Sequence, residues 1–145
     1  MNAYEKMKNR QQKEVDAFPL GAAFSKEQFA QMMEKWGLTV NDTGKIYSLG
    51  GGCYIRKTDS DKLNALMVRL TKEKNDAIAA DKTGDGFIYD MFLYELANHE
   101  YCITHDLEET LDALDLTIEQ INADKRLTRG LKKAIKVYLK NAKNY

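Results

Sequence analysis

The most apolar stretch of the chain reads Phe87-Ile88-Tyr89-Asp90-Met91-Phe92-Leu93-Tyr94-Glu95-Leu96. It predicts a helix over about residues 87–101 that is apolar on nearly every side, and such a helix usually lies at the centre of a core. Only one proline, Pro19, interrupts the chain, which favours long helices elsewhere. We therefore expect the other elements to pack around this central helix.

Apolar residues at helical spacing predict further helices on both sides of the central one. Their expected ranges are 2–18, 26–36, from the Thr58 cap to about 80, 107–114, 117–123 and 126–143. Ser25 with Gln28 is typical of a capping box, as is Thr117 with Gln120, and Thr58 with Asp61 is a third cap signal. Phe24 is expected to pack on Phe29 next to the first of these caps. The third helix should bury a stripe formed by Leu63, Leu66, Met67, Leu70, Ala77 and Ile78.

Residues 45–57 change character and predict a β-hairpin. Ile46-Tyr47-Ser48-Leu49 and Cys53-Tyr54-Ile55-Arg56 flank three consecutive glycines, which suit a tight turn. We expect this hairpin to be the only sheet structure. The predicted fold is therefore mainly α (α+β), a compact helical domain with one hairpin. A length of 145 residues suits a single domain over 1–145.

Composition excludes several classes of protein. Hydrophobic residues make up 43% of the chain and charged residues 30%, which is typical of neither a disordered nor a membrane protein. No uncharged apolar run is long enough to span a bilayer, and residues 1–6 lack the apolar core of a signal peptide. Cys53 and Cys102 are too few for a disulfide framework. We expect a cytoplasmic protein without a membrane partner.

Charge is balanced overall but divided along the chain. There are 22 basic and 22 acidic residues. Residues 83–123, the acidic segment, contain Asp and Glu but no Lys or Arg, whereas residues 124–145, which include the predicted basic helix, are rich in Lys and Arg. The two segments could face each other, or each could be a solvated surface. Alternatively the acidic segment docks on a basic protein, or the basic helix contacts nucleic-acid phosphates. The candidate nucleic-acid-binding residues are Arg126, Arg129, Lys132, Lys133, Lys136 and Lys140.

Residues 81–86 resemble the start of an EF-hand calcium loop. Asp81, Thr83 and Asp85 place oxygen donors at loop positions one, three and five, and a glycine follows at position six. The twelfth position should hold a bidentate Glu, but this chain has Phe92 there. We therefore predict a turn between two helices and no metal; Asp81, Thr83 and Asp85 are the candidate ligands if calcium does bind this loop.

The best polar constellation is Glu95, His99 and His105. Glu95 and His99 are four residues apart and share one helix face. One interpretation is structural, with Glu95 orienting His99 at a helix end; the other is a small catalytic or metal site. No third ligand stands at a metal-binding spacing, and no nucleophile elbow or dinucleotide fingerprint is present. We predict no cofactor.

Several longer stretches carry a resemblance: residues 17–37, 45–52, 55–60, 81–96, 98–101 and 110–114. Across them the chain resembles a family of small uncharacterised proteins that is widespread in Firmicutes and their mobile elements. The resemblance implies an intracellular bacterial protein associated with a mobile element, and it implies no activity.

Three functions follow as hypotheses. The first is a non-enzymatic accessory protein that binds another protein. The second is a nucleic-acid-binding module that uses the basic C-terminal helix. The third is a small enzyme or metal protein centred on Glu95, His99 and His105.

Overall fold

The computed structural model describes residues 1–101 and 106–142. Within them, the helices are α1 (Ala3–Ala17), α2 (Lys26–Lys35), α3 (Ser60–Ala80), α4 (Phe87–Asn98), α5 (Glu108–Ala113), α6 (Ile118–Ala123) and α7 (Lys125–Ala142). The strands are β1 (Gly21–Ala22), β2 (Ile46–Gly50) and β3 (Cys53–Arg56). The predicted mainly helical fold with a hairpin near residues 45–57 is confirmed.

The chain divides into two compact units. One combines Met1–Gln11 with Lys72–Tyr145, and we call it the α4 unit. The other is Gln12–Thr71, and we call it the sheet unit. The candidate residues of the sequence analysis that the structure describes all belong to the α4 unit.

Helix α4 forms the centre of the α4 unit. Its residues Ile88, Met91, Phe92 and Leu96 have no exposed surface. They share a core with buried residues from the elements around them, namely Tyr4, Met7, Leu111, Leu114, Ile121, Leu127, Leu131 and Ala134. A helix that is apolar on every side needs cover on every side, and α1, α5, α6 and α7 contribute to that cover.

The sheet unit contains an antiparallel sheet in the order β1-β3-β2. The hairpin of β2 and β3 turns through the three glycines 50–52, all at positive φ, which glycine tolerates best. The expectation that this hairpin is the only sheet structure is wrong, because β1 pairs Gly21 with Tyr54 and Ala22 with Cys53. A strand of two residues is too short to show the alternation that identifies strands in a sequence.

Helix α2 packs in the sheet unit's core and begins at the predicted N-cap Ser25, although Gln28 accepts from the amide before the cap rather than from that of Ser25 itself. Ser25 Oγ accepts a hydrogen bond from the Gln28 amide at 3.1 Å, and Gln28 Oε1 accepts one from the Phe24 amide at 2.7 Å. The core itself is small and consists of Ala23, Met32, Met33 and Ile46, with partly buried Phe29, Trp36, Leu38 and Tyr54 around it.

Helix α3 departs from the prediction in two respects. It begins at Ser60, because a 3₁₀ turn over Lys57–Asp59 occupies the expected Thr58 cap and is closed by an ion pair between Arg56 and Asp59. Of the expected stripe Leu70 is buried, whereas Met67 is 42% exposed. Apolar spacing identifies the apolar face of a helix, but it does not tell whether another element covers that face.

Across the part of the chain that the structure describes, no helix combines the length and the apolar character needed to cross a membrane.

Candidate functional site

The Glu95 carboxylate lies at the centre of a buried polar cluster in the α4 unit. Its Oε1 accepts hydrogen bonds from the Tyr4 hydroxyl at 2.7 Å and from Lys8 Nζ at 2.6 Å. Its Oε2 lies 3.1 Å from His99 Nε2. We call Tyr4, Lys8, Glu95 and His99 the Glu95 cluster. The structure thus brings two of the predicted residues together and adds two partners from α1.

Sequence reasoning missed Tyr4 and Lys8 because they lie 91 and 87 residues from Glu95 along the chain. A weak signal was present nevertheless. A glutamate on a helix that is apolar on all sides must find hydrogen-bond donors when it is buried. Tyr4 and Lys8 stand four residues apart, so they share one face of a helix and can donate together.

The electrostatics of the cluster favour an ionised Glu95. Burial raises the pKa of the Glu95 carboxyl, but hydrogen bonds from Lys8 and Tyr4 and the charge of Lys8 outweigh it, so the pKa lies below its ordinary value. Burial and the hydrogen bond to Glu95 both raise the pKa of the Tyr4 hydroxyl. Lys8 Nζ also lies 5.1 Å from the ring centre of Tyr94, at cation–π distance. At neutral pH the cluster therefore combines an anion, a cation and a neutral hydroxyl donor.

His99 is the outermost member of the cluster. Its Nδ1 lies 3.5 Å from Glu109 Oε2, and its side chain is 24% exposed. His105, the third predicted residue, lies outside the described residues. Among residues 1–101 and 106–142, no three His, Cys, Asp or Glu side chains are placed to hold a metal ion.

The geometry of the cluster suits attachment of α1 to α4 better than catalysis. A general base must come within hydrogen-bond distance of the proton that it removes from a substrate. Glu95 has no exposed surface, and both of its oxygens already face protein partners. Only Lys8 and His99 reach the surface.

The Asp81 carboxylate organises the turn that leads into α4. Its Oδ1 accepts from the amides of Thr83 and Gly84, and its Oδ2 accepts from those of Gly86 and Ile88, all at 2.9 to 3.2 Å. Burial raises the pKa of Asp81, but these four hydrogen bonds outweigh it and lower the pKa below its ordinary value. The carboxylate thereby satisfies an amide of the first turn of α4, which has no intrahelical partner.

The other two candidate calcium ligands also have protein partners. Thr83 Oγ1 accepts from the Asp85 amide at 3.1 Å. Asp85 forms a bidentate ion pair with Arg129: its Oδ1 accepts from Nε at 3.0 Å and its Oδ2 accepts from Nη2 at 2.8 Å. The oxygen donors that suggested a calcium loop therefore hold a helical corner together in this structure.

The basic helix α7 divides its candidate residues into two groups. Arg126 donates to the carbonyls of Ile78 and Asp81 at 2.9 and 2.7 Å, where α3 ends, and it also pairs with Asp124. Arg129 pairs with Asp85, and Lys133 lies 3.9 Å from the same carboxylate and 4.6 Å from the centre of the Tyr89 ring. Lys132, Lys136 and Lys140 are exposed and, in contrast to the first group, have no hydrogen-bond or ion-pair partner among residues 1–101 and 106–142.

The sheet unit carries an open apolar groove of about 720 Å³ that sequence reasoning missed. Phe24 is 76% exposed there and Val40 50%, although both are large apolar residues. The remaining lining residues are Ala23, Ser25, Lys26, Phe29 and Tyr54. We call this surface the Phe24 groove.

Local backbone structure explains why the Phe24 ring is exposed to solvent. The Ser25 N-cap fixes the backbone just before α2, and the Ala23 amide donates to the Gly52 carbonyl at 2.9 Å. Gly52 has a φ of +80°, and a side chain on it would collide with the Phe24 ring. The ring therefore lies over a glycine. The predicted packing on Phe29 buries little of Phe24; Phe29 instead stands edge-on to Tyr54, with ring centres 5.5 Å apart.

Comparison with known proteins places the chain in a family. A family of unknown function matches it over residues 3–137. No curated protein and no solved structure matches.

Proposed function

The chain belongs to the family of unknown function DUF7659, and we propose that it is a non-enzymatic accessory protein that binds a partner protein through the Phe24 groove. We further propose that it acts in the cytoplasm of a bacterium and is encoded by a mobile element. The resemblance to proteins of Firmicutes and their mobile elements supports that setting.

The exposure of Phe24 is the observation that carries the proposal. Single exposed apolar residues are common, but a groove that joins several of them is typical of an interaction site. Aromatic residues are enriched at the centres of protein interfaces, and Phe24, Phe29 and Tyr54 supply three here.

The partner that fits this groove is a protein segment with an apolar anchor and a nearby acidic residue. The apolar anchor would cover Phe24 and Val40, which water now contacts. Lys26 is the one charged residue of the lining, so a carboxylate beside the anchor would meet opposite charge. The groove is open, which suits a segment of a larger molecule.

The Glu95 cluster supports a non-enzymatic role because its polar groups are already bound to protein partners. The Tyr4 hydroxyl and the partly exposed Lys8 ammonium both donate to the buried Glu95 carboxylate, and these two hydrogen bonds connect α1 to α4. Substrate chemistry at Glu95 would require α1 to move away from α4.

Affinity capture with a matched pair of variants tests the proposal. Phe24→Asp removes the aromatic anchor, and Ile118→Asp alters a residue of the α4 unit that is 45% exposed. We expect wild type and Ile118→Asp to retain the same partner protein from a lysate of the source organism. With that partner purified, Phe24→Asp should weaken the Kd by about thirtyfold or more, as loss of an interface hot spot does.

Circular dichroism first establishes that both variants are folded. The proposal fails if Phe24→Asp retains the partner as well as Ile118→Asp does. It also fails if the purified protein turns over a substrate and Phe24→Asp leaves that turnover unchanged.

A further inference from the structure

The solvent face of α7 carries a row of lysines that the fold itself does not use. Leu127, Leu131 and Ala134 bury the opposite face of the helix in the core of the α4 unit. Arg126, Arg129 and Lys133 have intramolecular partners, as described above. Lys132, Lys136 and Lys140 are exposed, and no hydrogen bond or ion pair ties them to any residue in the ranges 1–101 and 106–142.

The three lysines form a line of positive charge. They follow one another at intervals of four residues, so they share one side of the helix. Because an α-helix rises about 1.5 Å per residue, the Cα atoms of neighbouring lysines in this row lie about 6 Å apart along the helix axis, and the row extends about 12 Å. The opposite face of α7 packs in the core of the α4 unit, so the backbone that carries the three lysines is fixed in place.

The chemistry of the row favours a phosphate backbone over a protein partner. Protein interfaces are depleted in lysine and enriched in aromatic residues and arginine. In the basic helix the two arginines are engaged internally, and the exposed row consists of lysines alone. Lysine acts as a point charge toward phosphate and needs no fixed geometry.

A duplex fits better than a single strand. Proteins that bind single strands stack the bases on exposed aromatic side chains. The aromatic residue of α7, Tyr138, packs its ring against the core of the α4 unit and beside Tyr101, so less of it is available to stack on a base than on an exposed aromatic platform. A rigid duplex also carries a higher density of phosphate charge, about one per 1.7 Å of its axis.

We infer that Lys132, Lys136 and Lys140 form a binding site for the phosphate backbone of duplex DNA, independent of the Phe24 groove. Backbone contacts carry no sequence information, so binding should not depend on base sequence. Three contacts predict a slope of about −2.7 for the logarithm of the association constant against that of the salt concentration.

Fluorescence anisotropy with a labelled DNA duplex tests the inference. Between about 50 and 200 mM salt the affinity should fall about fortyfold. Lys136→Gln should make the slope shallower by about one, and the triple variant K132Q/K136Q/K140Q should lose binding. The triple variant with arginine at these positions keeps the charge and should retain binding. A single strand of the same length should bind more weakly.

A second triple variant controls for net charge. K13Q/K35Q/K62Q removes three exposed lysines of the sheet unit, so it changes the overall charge equally. We expect it to bind DNA like wild type. Equal loss in both triple variants would overturn the inference, as would absence of binding at low salt. Salt-sensitive self-association without DNA, abolished by K132Q/K136Q/K140Q, together with no DNA binding, would instead assign the row to a second copy of the chain.

Discussion

Glu95 is a charged residue with no exposed surface in the core of the α4 unit. Burying an ion is costly unless partners replace its hydration. Here α1 supplies both a cation and a hydroxyl within hydrogen-bond distance of one oxygen. The same contact that makes Glu95 tolerable in the core also holds α1 in place.

Removal of the cation should therefore destabilise the fold. We expect Lys8→Met to lower the free energy of unfolding by about 3 kcal/mol, because it leaves a buried charge without its partner. Lys8 is partly exposed, so the value belongs at the lower end of the usual range. The double variant K8M/E95Q should recover part of the loss. Urea unfolding measures all three proteins.

Lys6→Met is the matched control for this prediction, since Lys6 is an exposed lysine on the same helix. Its effect should stay within about 0.5 kcal/mol. A Lys8→Met protein as stable as Lys6→Met would show that the pair contributes little.

The low pKa of Glu95 also predicts a pH dependence. The folded protein holds this pKa below the ordinary 4.5, so the carboxylate stabilises the fold fully above about pH 4.5. That contribution is lost as the pH falls through the lowered pKa of the folded state. The pKa of the Asp81 carboxyl is likewise lowered from its ordinary 3.8, so Asp81 also stabilises the fold above about pH 3.8 and loses that contribution in stronger acid.

Urea midpoints measured from neutral pH downward check this prediction. Wild type should lose stability in acid more steeply than Lys8→Met, which lacks the cation that lowers the pKa. Parallel curves for the two proteins would contradict the assigned cause.

At the scale of elements, the contact between α4 and α7 depends on a glycine in the middle of a helix. A Cβ on Gly130 would lie 2.5 Å from Ile88 Cγ2 and 2.7 Å from the Gly84 carbonyl oxygen. Glycine is a poor helix former, so its presence inside α7 reflects this close approach.

We expect Gly130→Ala to destabilise the protein by about 1 to 3 kcal/mol through overpacking, although alanine is the better helix former. Gly44→Ala is the control, because no atom lies within 4 Å of its Cβ position. That change should be neutral or stabilising by up to about 1 kcal/mol. Thermal unfolding of wild type and the two variants measures these effects. A Gly130→Ala protein more stable than wild type would contradict the close contact of Gly130 with Ile88 and Gly84.

Local signals predicted the elements well and the site poorly. The Ser25 N-cap, the capping box at Thr117 and the apolar run of α4 depend on residues close together in sequence, and each forms at the predicted place. The partners of Glu95 and the Phe24 groove depend on residues that only the folded chain brings together. Strand β1 was missed because its two residues carry no pattern.

At the scale of the whole molecule, the two compact units share helices. The boundary between Gln11 and Gln12 falls inside α1, and the boundary between Thr71 and Lys72 falls inside α3. Because continuous helices pass from one unit to the other, we propose that they unfold together as the single domain predicted from the sequence.

Trp36, the only tryptophan, gives a probe confined to the sheet unit. Its fluorescence and the far-ultraviolet circular dichroism of all the helices should report the same denaturant midpoint. An earlier transition at Trp36 would show that the sheet unit unfolds by itself.

For the whole molecule we propose that binding and architecture lie in separate places: the Phe24 groove binds a partner protein, whereas the Glu95 cluster stabilises the fold. The most direct test places a photoreactive amino acid at position 24, and in a second protein at position 118, and irradiates the source cells. We expect one discrete protein adduct from position 24 and none from position 118. No adduct at position 24, or the same adducts from both positions, would contradict the claim.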